Sequence, residues 1–193
     1  KIIHVAVNDL DPDDNSAWGR DHAQRECGFR GLADARPDDV IIHSDCDEIL
    51  RADALRAASD IRDNGLRFRL RHFIFACDWE IIGGESWDKP AATTMKNVSS
   101  ITDLRRNNNF PVLGDMGWHL SFFGGPDGIR RKMEGDCHPE VRTEVIRMTD
   151  DGLCYEKGLF WHDIGHAEPV DADETWPRYI REDRAPAIWF RPR

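Results

Sequence analysis

The stretch Val40-Ile41-Ile42-His43-Ser44-Asp45-Cys46-Asp47-Glu48-Ile49 decides the fold. A continuous run of branched apolar residues is the pattern of a strand buried on both faces of a parallel sheet. It leads directly into three carboxylates, Asp45, Asp47 and Glu48. Carboxylates in that place lie at the carboxyl edge of the sheet, where open α/β sheets bind their ligands. If the strand continues, alternation sends Asp45 and Asp47 the same way, so both approach one ion, and hard oxygen ligands suit Mg²⁺ or Mn²⁺. The plainer alternative is a polar strand end whose acids cap the next helix or sit in water.

Upstream, Ile2, Ile3, Val5 and Val7 predict a short strand over Lys1 to Val7, followed by a polar loop over Asn8 to Asn15. Ser16 is placed to cap a helix in which Ala17, Trp18, Asp21, His22, Arg25, Phe29 and Leu32 recur at helical spacing until Arg36-Pro37. The expected unit is strand, helix, strand. Downstream, Asp53 is expected to cap a helix with Ala54, Leu55, Ala58 and Ile61 on one face, ended by Asn64-Gly65. Leu66 to Phe75 alternates as one strand, with Arg67, Arg69 and Arg71 on a face expected to be solvated or, as the alternative, to meet an anionic ligand. Residues 78 to 109 are expected to be loops and short strands, Pro126 to start a helix, and the tail from Trp176 to be peripheral.

Composition narrows the class. The chain has 193 residues, 40% hydrophobic and 32% charged, enough for one domain spanning residues 1–193 with a real core. A formal net charge of -10 argues against nucleic acid as a partner, because phosphate binding runs on counterion release to a basic surface. No run of about 18 apolar residues is present to span a membrane. The first residue is Lys1 rather than Met, so a removed leader or anchor is expected and the true N-terminus is not visible. Five cysteines, Cys27, Cys46, Cys77, Cys137 and Cys154, lack a C-x-x-C pair, which predicts free thiols in a reducing, cytoplasmic compartment.

The ordered set Arg25, Arg36-Pro37-Asp38-Asp39-Val40, Asp45-Cys46-Asp47-Glu48-Ile49, Gly117-Trp118-His119, Ser121 and Pro126-Asp127-Gly128-Ile129 resembles glycosyltransferase family 17. That family includes the β-1,4-mannosyl-glycoprotein 4-β-N-acetylglucosaminyltransferase that makes bisecting GlcNAc. Phe122-Phe123-Gly124-Gly125 and His138-Pro139-Glu140 look closer to its bacterial and viral branch. The resemblance implies an α/β GT-A type, Rossmann-like nucleotide-sugar-binding fold with a mixed central sheet flanked by helices. It also implies a nucleotide-sugar donor, UDP-GlcNAc, a glycan acceptor, a divalent metal (Mn²⁺ or Mg²⁺) at the DxD, and inversion at the anomeric carbon. Relatives carry a further N-terminal strand and helix, so the chain is expected to lack that first strand and helix.

Site roles follow from the same resemblance. The metal is expected on Asp45 and Asp47 with a late histidine, His138, for which His162 and His166 compete. Arg25, Asp45 and Glu48 are expected at the donor, and Trp118 against the acceptor sugar, with a surface ion pair and core packing as the plainer roles of Arg25 and Trp118. An inverting transfer needs one base, for which His119 stands first, Asp115 second and Glu140 third. Two other classes fit less well. A haloacid-dehalogenase-type phosphatase wants its DxD near the start with a later lysine and acidic pair, and a non-catalytic carbohydrate-binding or structural domain needs no intact site. Oligomeric state is not encoded in these features.

Overall fold

The computed structural model describes residues 2–11, 16–83, 86–136, 138, 140–160, 166–182 and 184–192. In chain order its elements are α1 (Ala17–Glu26), continued by a 3-10 helix over Cys27–Leu32, β1 (Val40–His43), β2 (Glu48–Leu50), α2 (Ala52–Ser59), β3 (Gly65–Phe68), β4 (Arg71–Ile74), β5 (Trp79–Ile82), β6 (Ala91–Thr94), α3 (Ile101–Arg106), β7 (Val112–Leu113), β8 (Gly117–Ser121), α4 (Gly125–Gly135), α5 (Arg142–Asp150), β9 (His166–Pro169) and α6 (Arg178–Arg181). This is a mixed α/β chain. It divides into two compact units, Lys1–Arg69 with Asp88–Gly117, and Leu70–Trp87 with Trp118–Arg193.

The first unit is built on a sheet of order β1-β6-β3-β7. β6 pairs antiparallel with both β1 and β3, and β3 runs parallel to β7. β1 is therefore a half-buried edge strand with an antiparallel neighbour, not a parallel strand covered on both faces. Three apolar residues in a row look the same in either place, because pairing is decided by residues about fifty positions away. The central strand is β6, one of the short strands expected in this segment but, unexpectedly, buried at all four positions. Ala91 and Ala92 are too small to give a visible hydrophobic pattern, yet both are fully buried.

Several local expectations hold and others shift. Ser16 caps α1 by accepting from the Gly19 N–H at 2.9 Å. The expected strand over Lys1 to Val7 is not formed: residues 2–9 belong to no strand and Ile2 is 98% exposed. An apolar alternation marks a face, but a strand also needs a partner edge. Part of the predicted loop, residues 12–15, lies outside the described residues. Arg51 is the N-cap of α2, while Asp53 sits in the first turn, where a carboxylate favours the positive helix end. That helix ends at Ser59, leaving Gly65 to open β3, where the Phe110 ring would clash with any Cβ.

The second unit carries a sheet whose strands follow the order β8-β4-β5-β9. β4 is parallel to β8, with Arg71 opposite Trp118 and His72 opposite His119, and antiparallel to β5. The single strand expected over Leu66 to Phe75 is thus two strands in two sheets, with Arg69 and Leu70 between them. The two faces of β4 are both apolar. Ile74 packs with Ile129, Met133, Val145 and Met148 of α4 and α5, whereas Phe73 packs with Trp118, Trp176 and Ile180. The tail from Trp176 is therefore core, not periphery. Pro126 stands at the start of α4 as expected. Among the described residues no helix is long and apolar enough to cross a membrane, and Cys27, Cys46, Cys77 and Cys154 are free, Cys137 lying outside them.

Candidate functional site

The acidic run sits in a closed turn at the end of β1. The strand stops at His43, so alternation does not govern Asp45 and Asp47. The turn is instead shaped by hydrogen bonds: the Glu48 N–H donates to the Asp45 carbonyl (3.0 Å), and Ser44 Oγ donates to the Glu48 carbonyl (2.7 Å). The Asp45 N–H donates to Glu48 Oε2 at 2.7 Å. Glu48, expected at the donor, is only 3% exposed, and its carboxylate points inward onto Arg105. Arg105 Nη2 and Nη1 donate to Oε1 and Oε2 at 2.8 and 3.0 Å, a fork-to-fork pair. The Glu48 carboxylate is thus matched, on the inner side of the turn, by a buried guanidinium and a backbone N–H.

Arg105 does more than neutralise Glu48. Its Nη2 also lies 2.8 Å from Asp45 Oδ2. Arg25 approaches the same carboxylate, with Nη2 3.3 Å from Oδ2 and Nε 3.5 Å from Oδ1, and is itself held by Asp21 one helical turn back. The two arginines come together because Glu26, next to Arg25, caps α3. Its carboxylate accepts from Ser100 Oγ (2.9 Å) and from the N–H groups of Ile101 (3.1 Å) and Thr102 (2.8 Å). Burial pushes the Glu26 carboxyl up, but those hydrogen bonds outweigh it and hold it below the ordinary glutamate range. Burial is also the largest influence on Arg25, lowering its pKa, and Asp45 and Asp21 more than reverse it.

His43 closes the cluster from the strand side. Its Nε2 lies 3.8 Å from Asp45 Oδ1, while its buried Nδ1 has no hydrogen-bond partner among the described residues. Burial lowers the His43 pKa against the opposing pull of Asp45, so the ring is neutral at pH 7.

The other expected residues separate into the two units. Asp115 belongs to the first. It has a left-handed backbone (φ 53°), which aspartate tolerates better than most residues, and a 63% exposed side chain held 2.8 Å from Arg51 Nη1. Trp118, His119, His138 and Glu140 belong to the second. Trp118 is buried and stacked on Trp176 at 5.5 Å between ring centroids. His119, 4% exposed, lies flat against Trp87 (3.7 Å, 14° between planes) with His72 at 4.4 Å. His138 is exposed, with Nδ1 2.8 Å from Glu140 Oε1. His162 lies outside the described residues, as does the side chain of His166.

Among the described residues no three His, Cys, Asp or Glu side chains converge as a metal site. The chemistry of the Asp45 turn nevertheless fits a hard cation. Mg²⁺ commonly takes one or two protein carboxylates and completes its shell with water and substrate phosphate. Asp45 Oδ1 has no nitrogen closer than 3.5 Å among its ion-pair partners, and Asp47 follows in the same half-buried turn.

Arg105 and the Trp87-His119-His72 stack are site features that sequence reasoning missed. For Arg105 a signal was present: Ser100-Ile101-Thr102-Asp103 matches the helix-start pattern of a capping residue followed three positions later by an acid. Ser100 does cap α3, accepting from the Asp103 N–H at 3.0 Å. The stack carried no such signal, since it joins residues from three separate chain segments.

Comparison with curated proteins and with solved structures gave no match. The model of glycosyltransferase family 17 matches residues 2–149, a span that takes in the whole Asp45 turn with both of its arginines. Since that match covers most of the chain, the protein belongs to glycosyltransferase family 17.

Proposed function

We propose that the chain is a metal-dependent inverting glycosyltransferase of GT-A type, acting as a single catalytic domain over residues 1–193. It moves a sugar, GlcNAc from UDP-GlcNAc, to a hydroxyl of a glycan acceptor. The observation that carries this reading is the Asp45 turn: a carboxylate fixed by Glu48 and Arg105 at a strand end, with Asp47 beside it and Arg25 above.

Asp45 and Asp47 are the residues to hold a divalent cation, which when bound neutralises charge on the departing diphosphate. Arg25 belongs to the donor side: its guanidinium exchanges part of its hold on Asp45 for a phosphate oxygen, for which a planar cation is well suited. The base must reach a hydroxyl on a large acceptor. His119 lies under Trp87, and Glu140 is paired with His138, whereas Asp115 is open to solvent and anchored by Arg51 in the same unit as the Asp45 turn. We therefore assign Asp115 the base role ahead of His119 and Glu140, and leave Trp118 a packing role beside Trp176.

A screen of UDP-sugar hydrolysis and transfer, with and without Mn²⁺, tests the reading. UDP with Mn²⁺ should raise the melting temperature more than either alone. Asp47→Ala should remove both that synergy and turnover, and Asp115→Asn should lower kcat by about 10²–10⁴ with little change in donor KM. Wild-type protein that turns over no nucleotide sugar with any divalent cation would sink the proposal.

A further inference from the structure

One buried cation in the first unit is left without an anion. Arg67 in β3 is 8% exposed, and among the described residues it makes no ion pair. Its Nη1 donates to Asn108 Oδ1 at 2.6 Å, and its buried Nε has no hydrogen-bond partner. The two arginines of the Asp45 cluster, by contrast, each meet two carboxylates. Arg25 holds Asp21 and Asp45, and Arg105 holds Glu48 and Asp45. Taking a guanidinium out of water costs several kcal/mol unless a partner replaces the lost hydration, and a neutral amide replaces only part of it.

The register of the sheet shows where Arg67 sits relative to the Asp45 turn. Ala91 of β6 lies opposite both His43 of β1 and Arg67 of β3. Residues directly opposite one another share a face, so His43, Ala91 and Arg67 form one row across one face of this sheet. His43 and Arg67 are two strand spacings apart, about 9.5 Å between backbones. The residue between them is an alanine, fully buried, whose side chain is a single methyl group. At one end of the row, the His43 ring reaches Asp45 by its Nε2 and leaves its Nδ1 unbonded. Two buried polar atoms without partners thus share a face whose centre carries a methyl group.

We propose that Arg67 is an oxyanion-binding residue of the donor site, taking a phosphate oxygen pair of the nucleoside diphosphate from the far end of the His43-Ala91-Arg67 row. The assignment rests on the transferase reading for the identity of the ligand, but not for its charge. A guanidinium with Nε and one terminal nitrogen uncommitted presents the two parallel N–H groups that a phosphate accepts. The Asn108 side chain fixes the fork by accepting from Nη1, and the Asp45 turn supplies the cation side of the same diphosphate.

Thermal shift with inorganic pyrophosphate, compared between wild type, Arg67→Met and Arg67→Lys, tests this on the full chain, with each shift measured from that variant's own unliganded melting temperature. The expected result is a wild-type shift of several degrees, lost in Arg67→Met and partly kept in Arg67→Lys, together with a donor KM raised about tenfold or more in Arg67→Met and kcat within about threefold. Equal pyrophosphate shifts and equal donor KM in wild type and Arg67→Met would overturn it, whatever happens to stability. An Arg67-dependent pyrophosphate shift in a wild type that consumes no nucleotide sugar would leave the oxyanion site standing and remove the transferase reading instead. If Arg67→Met fails to fold, an unchanged shift and KM in Arg67→Lys decide against the proposal, because an ammonium cannot reproduce the two-pronged contact.

Discussion

Glu48 and His119 are both polar, both nearly fully buried and both on strands, yet the two units hold them by different physics. Glu48 is fixed by directed bonds from Arg105 and the Asp45 N–H, each between 2.7 and 3.0 Å. His119 is fixed by a flat stack on Trp87 and a tilted contact with His72. A network of charge-assisted hydrogen bonds sets the position of an oxygen to a few tenths of an ångström, whereas stacking sets a plane and tolerates sliding within it. The first unit is therefore built for aiming a carboxylate. The stack around His119 fills space.

The comparison breaks first at Glu48. Glu48→Ala should destabilise the protein by about 1.5–3 kcal/mol in urea, because buried Arg105 loses its fork-to-fork pair and keeps only Asp45. A loss under about 1 kcal/mol would show that the pair does not hold the turn. The sharper form is the double variant Glu48→Leu with Arg105→Met. Removing both charges should bring stability back to within about 1 kcal/mol of wild type, while donor turnover falls because Asp45 is then held by Arg25 without Arg105 and the Glu48 carboxylate. Recovered turnover would mean that the network stabilises without aiming.

Trp176→Ala makes the matching cut in the second unit. Trp176 is 2% exposed and packs on Phe73 and Trp118, so about 3 kcal/mol should be lost to the cavity, with donor KM unchanged in the folded fraction. A raised KM would show that packing there aims chemistry after all. Ser100→Ala is milder, at about 1 kcal/mol for a lost helix cap, and should raise donor KM severalfold because α3 carries Arg105. The smallest effect is an acid limb from Glu26. Its pKa is lower folded than unfolded, so its contribution is complete above the ordinary glutamate value of about 4.3 and disappears as pH falls through the lower folded value. Melting curves of Glu26→Gln should be flatter than wild type across that window. An identical acid limb in both would show that the cap of α3 is not what Glu26 holds.

The legible parts of the molecule were those whose cause is local. Ser16 as a cap, Pro126 as a helix start and the strand at Val40 each depend on neighbours within a turn or two, and each formed as expected. The acidic run was also found, because three carboxylates after an apolar run are conspicuous in any context. What the pattern hid was pairing. β6 is built of Ala91, Ala92, Thr93 and Thr94, residues with little hydrophobic signal, and its central place comes from two partners distant in sequence. Arg67, Arg69 and Arg71 form an alternating face on paper, but the chain changes sheets between them. Arg67 is buried, Arg69 is exposed beside Asp88, and Arg71 is paired with Glu80 and Asp173. The pairing of Glu48 was hidden for a related reason, since its partner Arg105 is 57 residues away.

The two units are each assembled from two separated stretches of chain, so the polypeptide passes from one to the other at Arg69 to Leu70, at Trp87 to Asp88 and at Gly117 to Trp118. During synthesis the first unit lacks its central strand β6 until residue 94 and the arginine of α3 until residue 105, and β4 and β5 are made well before their partner strand β8 at residues 117–121. Neither unit can be excised as one uninterrupted piece, and domains that fold as units ordinarily do so in order of emergence. Here that order is denied: the Asp45 turn waits, with Glu48 uncompensated, for an arginine made 57 residues later, and the nascent chain carries an unfinished sheet in each unit through most of its translation.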